Sequence, residues 1–196
     1  DINWANNTVN WAYLDLRGDM MAGADLIGAN LTGTNMANAE MPGCILKNAN
    51  LYGANLQQVN LGDSDLSYAN LSYAYLGNAY LSNANLRYAD LTGAYLYGAS
   101  LSGANLSNTD LTTAVIQQVH LTRANLSNTN LSGVNLADVN LWGADLSYAD
   151  LSYADLSDAD LDTGLGNPEF EITWYSTTCP DGTNSDNNGN TCVNNL

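Results

Sequence analysis

From Leu16 to Leu161 every fifth residue is large and apolar: of thirty positions, 26 are Leu, three are Met (Met21, Met36, Met41) and one is Ile116. Two residues earlier, from Ala24 to Ala159, runs a second column of small residues, with 19 Ala, four Val, three Thr, Cys44 and Ser64. Between the columns sits mostly Asn or Asp, as at Asn30, Asn50, Asn85 and Asp150, and the other two positions are dominated by Ser, Thr, Gly, Asn and Tyr. A helix would turn successive leucines by about 140°, so no face would collect them. One long strand would send them alternately to opposite faces. Within a pentad, however, the small residue, the Asn or Asp and the Leu make a three-residue strand with two apolar groups on one side. The remaining two residues turn the chain. Gly or Asn fills the last turn position in 15 of the 28 pentads from residue 24, among them Gly28, Gly33, Gly53, Asn78, Gly103 and Gly143. These residues most readily accept a left-handed backbone. Strand plus corner, repeated with one side always inward, stacks coil on coil in a β-solenoid.

The tandem A-(D/N)-L-x-x unit, from ADLIG at Ala24 to ADLDT at Thr163, resembles the pentapeptide-repeat family. The likeness covers residues 9 to 163, with Val9-Asn10-Trp11, Leu14-Asp15-Leu16 and Asp19-Met20-Met21 as degenerate first units. It implies an all-β fold, a right-handed quadrilateral β-helix with four pentads per 20-residue coil and Leu and Ala stacked inward. Seven to eight coils follow from 31 pentads counted from Val9. At about 4.8 Å per coil the rod is roughly 37 Å long. The domains expected are an N-terminal cap (1–8), the repeat β-helix (9–163) and a C-terminal cap with a loop (164–196).

Such a rod exposes strand edges and core at both ends. Trp4, Trp11, Tyr13 and Leu14 are bulkier than the repeat interior and are expected to plug the first coil, with Phe170, Ile172, Trp174 and Tyr175 covering the last. The T-T-C-P-D-G stretch is similar to tails that close cyanobacterial family members, with Pro180-Asp181-Gly182 as a turn. Cys179 and Cys192 enclose 12 residues. A disulfide there would stabilise the loop by about 3 kcal/mol, and two lone thiols are the alternative. A bridge would point to an oxidising compartment, periplasm or thylakoid lumen, and free thiols to cytoplasm. Cys44, in the small column, reads as a slightly larger Ala. No run of 18 apolar residues predicts a spanning helix, and the start at Asp1 shows no basic and apolar signal-peptide pattern.

Charge refines this picture. Twenty acids against four bases give −16, which argues against direct nucleic-acid binding. Residues 1–124 hold nine acids and all four bases, and 125–196 hold eleven acids and no base, so the halves carry −5 and −11. Asp145, Asp150, Asp155 and Asp160 fall one per side of a single coil, with Asp158 and Asp162 nearby, and form the candidate acidic partner surface. With a 20-residue coil, Asn30, Asn50 and Asn70 form one ladder and Asn85, Asn105 and Asn125 another. Tyr75 should stack with Tyr95, and Tyr68 with Tyr88. Asp90 and Asp110 should face each other, at a cost of about 0.8 kcal/mol at about 5 Å in water.

Chemistry is sparse. His120 is the only histidine and has no triad or metal-ligand pattern around it. No phosphate loop or dinucleotide fingerprint is present, so no cofactor is expected. Asn184, Asp186, Asn188 and Gly189 are spaced like half a calcium loop, but Asn195 stands where the closing acid belongs. A filled interior leaves no pocket. The expected function is therefore a non-enzymatic scaffold, a rigid acidic rod for an unidentified protein partner, most similar to short cyanobacterial members such as those of Nostoc. It is expected as a monomer or weak end-to-end dimer without membrane insertion. The alternative is a DNA mimic, because the resemblance implies a relation to members that bind DNA gyrase. ANLQQVNLGD from Ala54 and AVIQQVHLTR from Ala114 lie 60 residues apart, which either duplication or fusion of shorter arrays would produce.

Overall fold

The computed structural model describes residues 2–3, 8–161, 174–188 and 192. Trp4, Phe170, Ile172, Asp162, Gly189 and Asn195 lie outside them. The middle residue of each pentad pairs in parallel with the residue twenty positions on: Asn10 with Asn30, Asn30 with Asn50, and onward to Asn135 with Asp155. Twenty residues are four pentads, so each coil has four walls. In chain order their central columns are Asn30, Asn50 and Asn70 (first), Asn55, Tyr75 and Tyr95 (second), Glu40, Asn60 and Tyr80 (third), and Asp65, Asn85 and Asn105 (fourth). The Leu N–H donates up the rod and the next coil donates back: Leu31 N to Asn50 O at 2.7 Å, Asn50 N to Ala29 O at 2.8 Å. Each corner closes locally, as Ala54 N does on Leu51 O at 3.0 Å.

The Asn or Asp between the apolar columns has a specific task. Its Oδ1 accepts the backbone N–H two residues on, from Tyr52 to Asn50 at 3.2 Å, from Ser67 to Asp65 at 3.0 Å and from Ser127 to Asn125 at 2.9 Å. Only a short side chain with a γ-position acceptor reaches that donor. Asn has a spare N–H₂, and Asn30 and Asn55 use theirs to donate to Asn10 and Asn35 in the coil before, at 3.1 and 3.0 Å. Asn85 likewise donates to Asp65 at 3.0 Å, whereas Asn50, Asn70, Asn105 and Asn125 join their ladders through backbone pairing, so the expected amide ladders are only partly made by side chains.

Inside, Leu31 to Leu96 and the facing alanines are buried. Each Leu contributes about 2 kcal/mol of transfer free energy. Thr34, Ser64 and Cys44 of the small column bond to the carbonyl of the Leu column one coil back: Thr34 Oγ1 to Trp11 O at 2.8 Å, Ser64 Oγ to Met41 O at 3.0 Å, Cys44 Sγ to Met21 O at 3.0 Å. No buried side-chain polar atom among the described residues lacks a partner.

At each end an antiparallel segment covers the outer edge of one wall. Strand β1 (Ile2–Asn3) pairs with β2 (Thr8–Val9) in the register Ile2 to Val9, while the carbonyl of Val9 accepts Asn30 N on the other edge. Strands β3 (Asn140–Leu141) and β4 (Asp160–Leu161) belong to the last regular coils. Beyond them Thr178 stacks in parallel on Asp155 and then pairs antiparallel with Asn184. Thr177, Thr178 and Cys179 thus occupy the small, central and Leu columns of one more pentad, with Thr177 Oγ1 donating to Leu151 O at 2.6 Å. The capping aromatics are corrected in part. Trp11 packs partly buried against the core and Trp174 is buried. Tyr13, 78 % exposed, lies outside with its ring over the Gly33 corner, and Leu14 and Tyr175 are exposed as well. Tyr175 instead meets Tyr153 edge-on at 5.2 Å.

From Tyr13 to Asp158 every fifth residue is a left-handed corner, including Gln58, Tyr73 and Arg123, with the exception of Thr113. The coil geometry therefore imposes the left-handed state on residues that do not favour it. Thr113 is β-branched, for which positive φ is a genuine outlier. Its Oγ1 accepts Gly93 N at 3.0 Å, replacing the usual carbonyl. Among the described residues the ladder skips the pairs Asp90–Asp110 and Val115–Asn135. The amides of Thr113, Ile116, Gln118 and Asn135 lack the backbone bonds that their counterparts in adjacent coils make. The seam thus interrupts two adjacent walls, the first at Asp90–Asp110 and the second at Val115–Asn135.

Candidate functional site

The aspartates of the proposed acidic surface come from four different walls: Asp145 from the fourth, Asp150 from the first, Asp155 from the second and Asp160 from the third. They form a belt, not a cluster. Asp158 is an exposed corner, and Asp162 lies outside the described residues. The sequence explains their positions, since each occupies the turn-capping column. Asp145 Oδ1 accepts Ser147 N at 2.9 Å, Asp150 Oδ1 accepts Ser152 N at 2.9 Å, and Asp155 Oδ1 accepts Ser157 N at 3.0 Å and Ser157 Oγ at 2.6 Å. For each, the bonds run to Oδ1, which leaves Oδ2 to carry charge outward. Asp138, passed over in the sequence reading, is exposed at the same corner as Asp158, one coil before it. The signal was available as a 20-residue spacing.

The ladder skips the pair Asp90–Asp110, and each carboxylate has hydrogen-bond partners of its own. Asp90 accepts Thr92 N at 3.0 Å and Ser72 Oγ at 3.3 Å, while Asp110 accepts Thr112 N at 2.9 Å and Asn130 Nδ2 at 3.4 Å. The side-chain hydrogen bond from Thr92 is the main cause that holds the Asp90 carboxyl below the usual range; burial opposes it, and the Thr92 N–H and Ser72 assist. Asp15 is also held low, chiefly by the Arg17 side chain that donates to it at 2.7 and 2.8 Å.

Tyr68 and Tyr88 stack with centroids 4.9 Å apart. Tyr75 and Tyr95 do not: no ring contact joins them among the described residues, and Tyr95 instead stacks on Tyr97 at 6.2 Å and lies against Gly77. His120 is exposed on the third wall between Ser100 and Asn140. Burial pushes the Cys44 thiol up, so it is a poor nucleophile. Cys179 and Cys192 are disulfide-bonded, buried, with Cα atoms 5.2 Å apart. The half calcium loop is otherwise engaged: Asp186 accepts Ser176 N at 2.8 Å and Ser176 Oγ at 2.7 Å, latching the tail onto a corner. Among the described residues no group of three or more His, Cys, Asp or Glu could hold a metal.

The pentapeptide repeats family matches in successive copies over residues 15–48, 24–63, 44–82, 64–103, 74–112 and 124–162. The chain belongs to the pentapeptide-repeat family. No curated protein matches it. Solved structures similar to this pentapeptide-repeat protein include HetL, a pentapeptide repeat protein involved in heterocyst differentiation regulation from the cyanobacterium Nostoc, 28 % identical over 92 % of this chain and 95 % of that one, with a TM-score of 0.38. QnrB1, a plasmid-mediated fluoroquinolone resistance protein, is 22 % identical over 78 % and 76 % of the two chains at a TM-score of 0.27. A pentapeptide repeat protein from the Arabidopsis thaliana thylakoid lumen is 28 % identical over 55 % and 68 %, at 0.21.

Recesses in this pentapeptide-repeat protein lie on its outer surface. One, of about 440 Å³, runs along the corner between the third and fourth walls, past Asn83, Gly103 and Thr122 to Arg123, whose guanidinium sits 5.2 Å from the Trp142 ring. Another, of about 270 Å³, opens beside Tyr75 over Gly33 and Gly53. The expectation of a chain without pockets thus fails on the walls. A period of five hides which residues share a wall; a period of twenty collects them.

Proposed function

We propose that this pentapeptide-repeat protein is a non-enzymatic scaffold, a rigid right-handed rod of seven to eight coils whose acidic C-terminal end binds a basic protein partner. The observation that carries this reading is the aspartate belt, in which the capping bonds of Asp145, Asp150 and Asp155 run to Oδ1 and leave Oδ2 to carry charge on three of the walls. The antiparallel segments support a monomer, because at each end they occupy the outer edge of one wall that end-to-end pairing would use. The buried bridge between Cys179 and Cys192 supports an oxidising compartment. The quadruple variant D145N/D150N/D155N/D160N removes four charges and keeps the Oδ1 caps at 145, 150 and 155. Affinity capture from the native organism should recover a basic protein with the wild-type rod and lose it with this variant at unchanged circular dichroism. Equal capture by both would overturn the reading, and recovery of DNA gyrase would turn it into DNA mimicry.

A further inference from the structure

The charges that surround the rod leave one wall bare. Along the second wall and both of its corners, the segments 32–38, 52–58, 72–78, 92–98 and 112–118 contain no Asp, Glu, Lys or Arg. The same wall displays Tyr52, Tyr73, Tyr75 and Tyr95, all exposed, with Tyr75 at 54 %. These rings are held in place. Tyr73 and Tyr52 meet edge-on at 5.6 Å, and the Tyr73 ring lies over the Gly93 corner so closely that a Cβ there would come within 2.8 Å of it. The recess of about 270 Å³ opens beside Tyr75, with Asn55 and Gln57 at its rim.

We infer that this wall is a docking groove for an extended, proline-rich peptide whose flank is basic; the inference rests on the protein-partner reading above and specifies the partner's chemistry. Five coils make the wall about 24 Å long, and one pentad makes it at most roughly 16 Å wide. That area, about 400 Å², is half of the ~800 Å² per partner that a stable interface takes, so a second rod gains too little here. A single extended chain fits the shape. Polyproline II rises about 3.1 Å per residue with three residues per turn, so each turn advances about 9.3 Å, close to two coils at about 9.6 Å. Successive turns therefore meet equivalent positions on alternate coils. Such a chain has no internal hydrogen bonds, and its carbonyls can accept from tyrosine hydroxyls and the Asn55 and Gln57 amides. Uncharged aromatic grooves suit it because the peptide is already ordered before binding. Charge sets the direction: the wall ends at Asp155 in its own column, with Asp138 and Asp158 on the flanking corner, and the basic flank lies there.

The test is fluorescence anisotropy with a labelled peptide of about eight residues in polyproline II, joined to an arginine run, against the full chain with its disulfide intact. Tyr75→Asn with Tyr95→Asn restores the residue that Asn35 and Asn55 already place in this column, so the coil is kept; the melting temperature checks that. Binding should be saturable, weaken at least tenfold in the double variant and at least tenfold when the prolines become alanine, and lose part of its salt dependence in Asp155→Asn. Equal binding by the alanine peptide, equal binding by the tyrosine variant, or no binding would each overturn the inference. If the tyrosine variant still captures the native partner while the aspartate belt variant does not, the scaffold reading stands and the groove assignment alone falls.

Discussion

Thr113 is the point at which the repeat can be repaired. Thirty corners from residue 13 to residue 158 fall in register, and Thr113 alone among them avoids the left-handed state. Thr113→Asn introduces the residue found at six of those corners, among them Asn38, Asn78 and Asn128, with φ of 61°, 55° and 57°. The β-branched residue is penalised there by roughly 1–2 kcal/mol, and Asn much less. A left-handed corner at 113 lets the amides of Thr113's replacement, Ile116, Gln118 and Asn135 regain their backbone partners. Four bonds at about 0.5–1.5 kcal/mol each amount to roughly 2–6 kcal/mol. The lost bond from Gly93 N to Thr113 Oγ1 is offset when that amide returns to the carbonyl of residue 112. Taking the lower end, about 2 kcal/mol, the melting temperature should rise by roughly 4–8 °C for a chain of this size. Thermal circular dichroism measures the rise, and amide hydrogen exchange should show Ile116, Gln118 and Asn135 moving from fast to protected. An unchanged melting temperature with those amides still exchanging fast would refute the idea that the corner opens the seam.

Other outcomes follow from the same geometry. Leu91→Asp places a carboxylate in a column buried from Leu26 to Leu156 and is expected to abolish folding, read as loss of the melting transition; a variant with wild-type melting would refute the inward assignment of the column. Cys192→Ala removes a bridge of sequence separation 13 and should cost about 3 kcal/mol, read as a lower midpoint in denaturant, with reduction of the wild type giving the same shift. Asp90 has its carboxyl pKa depressed in the folded chain, so the stability it contributes is present above the ordinary carboxylate range and is lost as pH falls through its own depressed value. In an NMR titration its carboxyl should shift at a pH below the ordinary carboxylate range, and Asp90→Asn, which keeps the Oδ1 acceptor, should remove that part of the acid sensitivity.

Much of the coil was legible in the residues themselves. Leu and Ala two apart with Asn or Asp between them specify a strand with one apolar side, and Gly28 or Asn78 at the last position specifies a corner, because these are local preferences of backbone and side chain. The acidic belt was legible too, since Asp145, Asp150, Asp155 and Asp160 share a column. Side-chain contacts between coils were not: Tyr68 stacks on Tyr88, but Tyr95 turns to Tyr97, because rotamer choice depends on what the neighbouring corner leaves open, here Gly77. Nor was the pentad Thr177–Asp181 legible, because Cys179 fills the Leu column with a different side chain and stands out of phase with the array before it.

What the sequence determined by itself was the period, the inward columns and the distribution of charge, all of which follow from the polarity of single positions and the conformational freedom of single residues. What only the tertiary structure decided was which residues meet across coils. Stacking at twenty residues assembled an uncharged tyrosine wall from segments far apart in sequence, and opened a seam where one β-branched residue could not follow the backbone its neighbours impose. Those outcomes depend on hydrogen bonds and steric contacts between distant segments, and such terms exist only once the coil has closed.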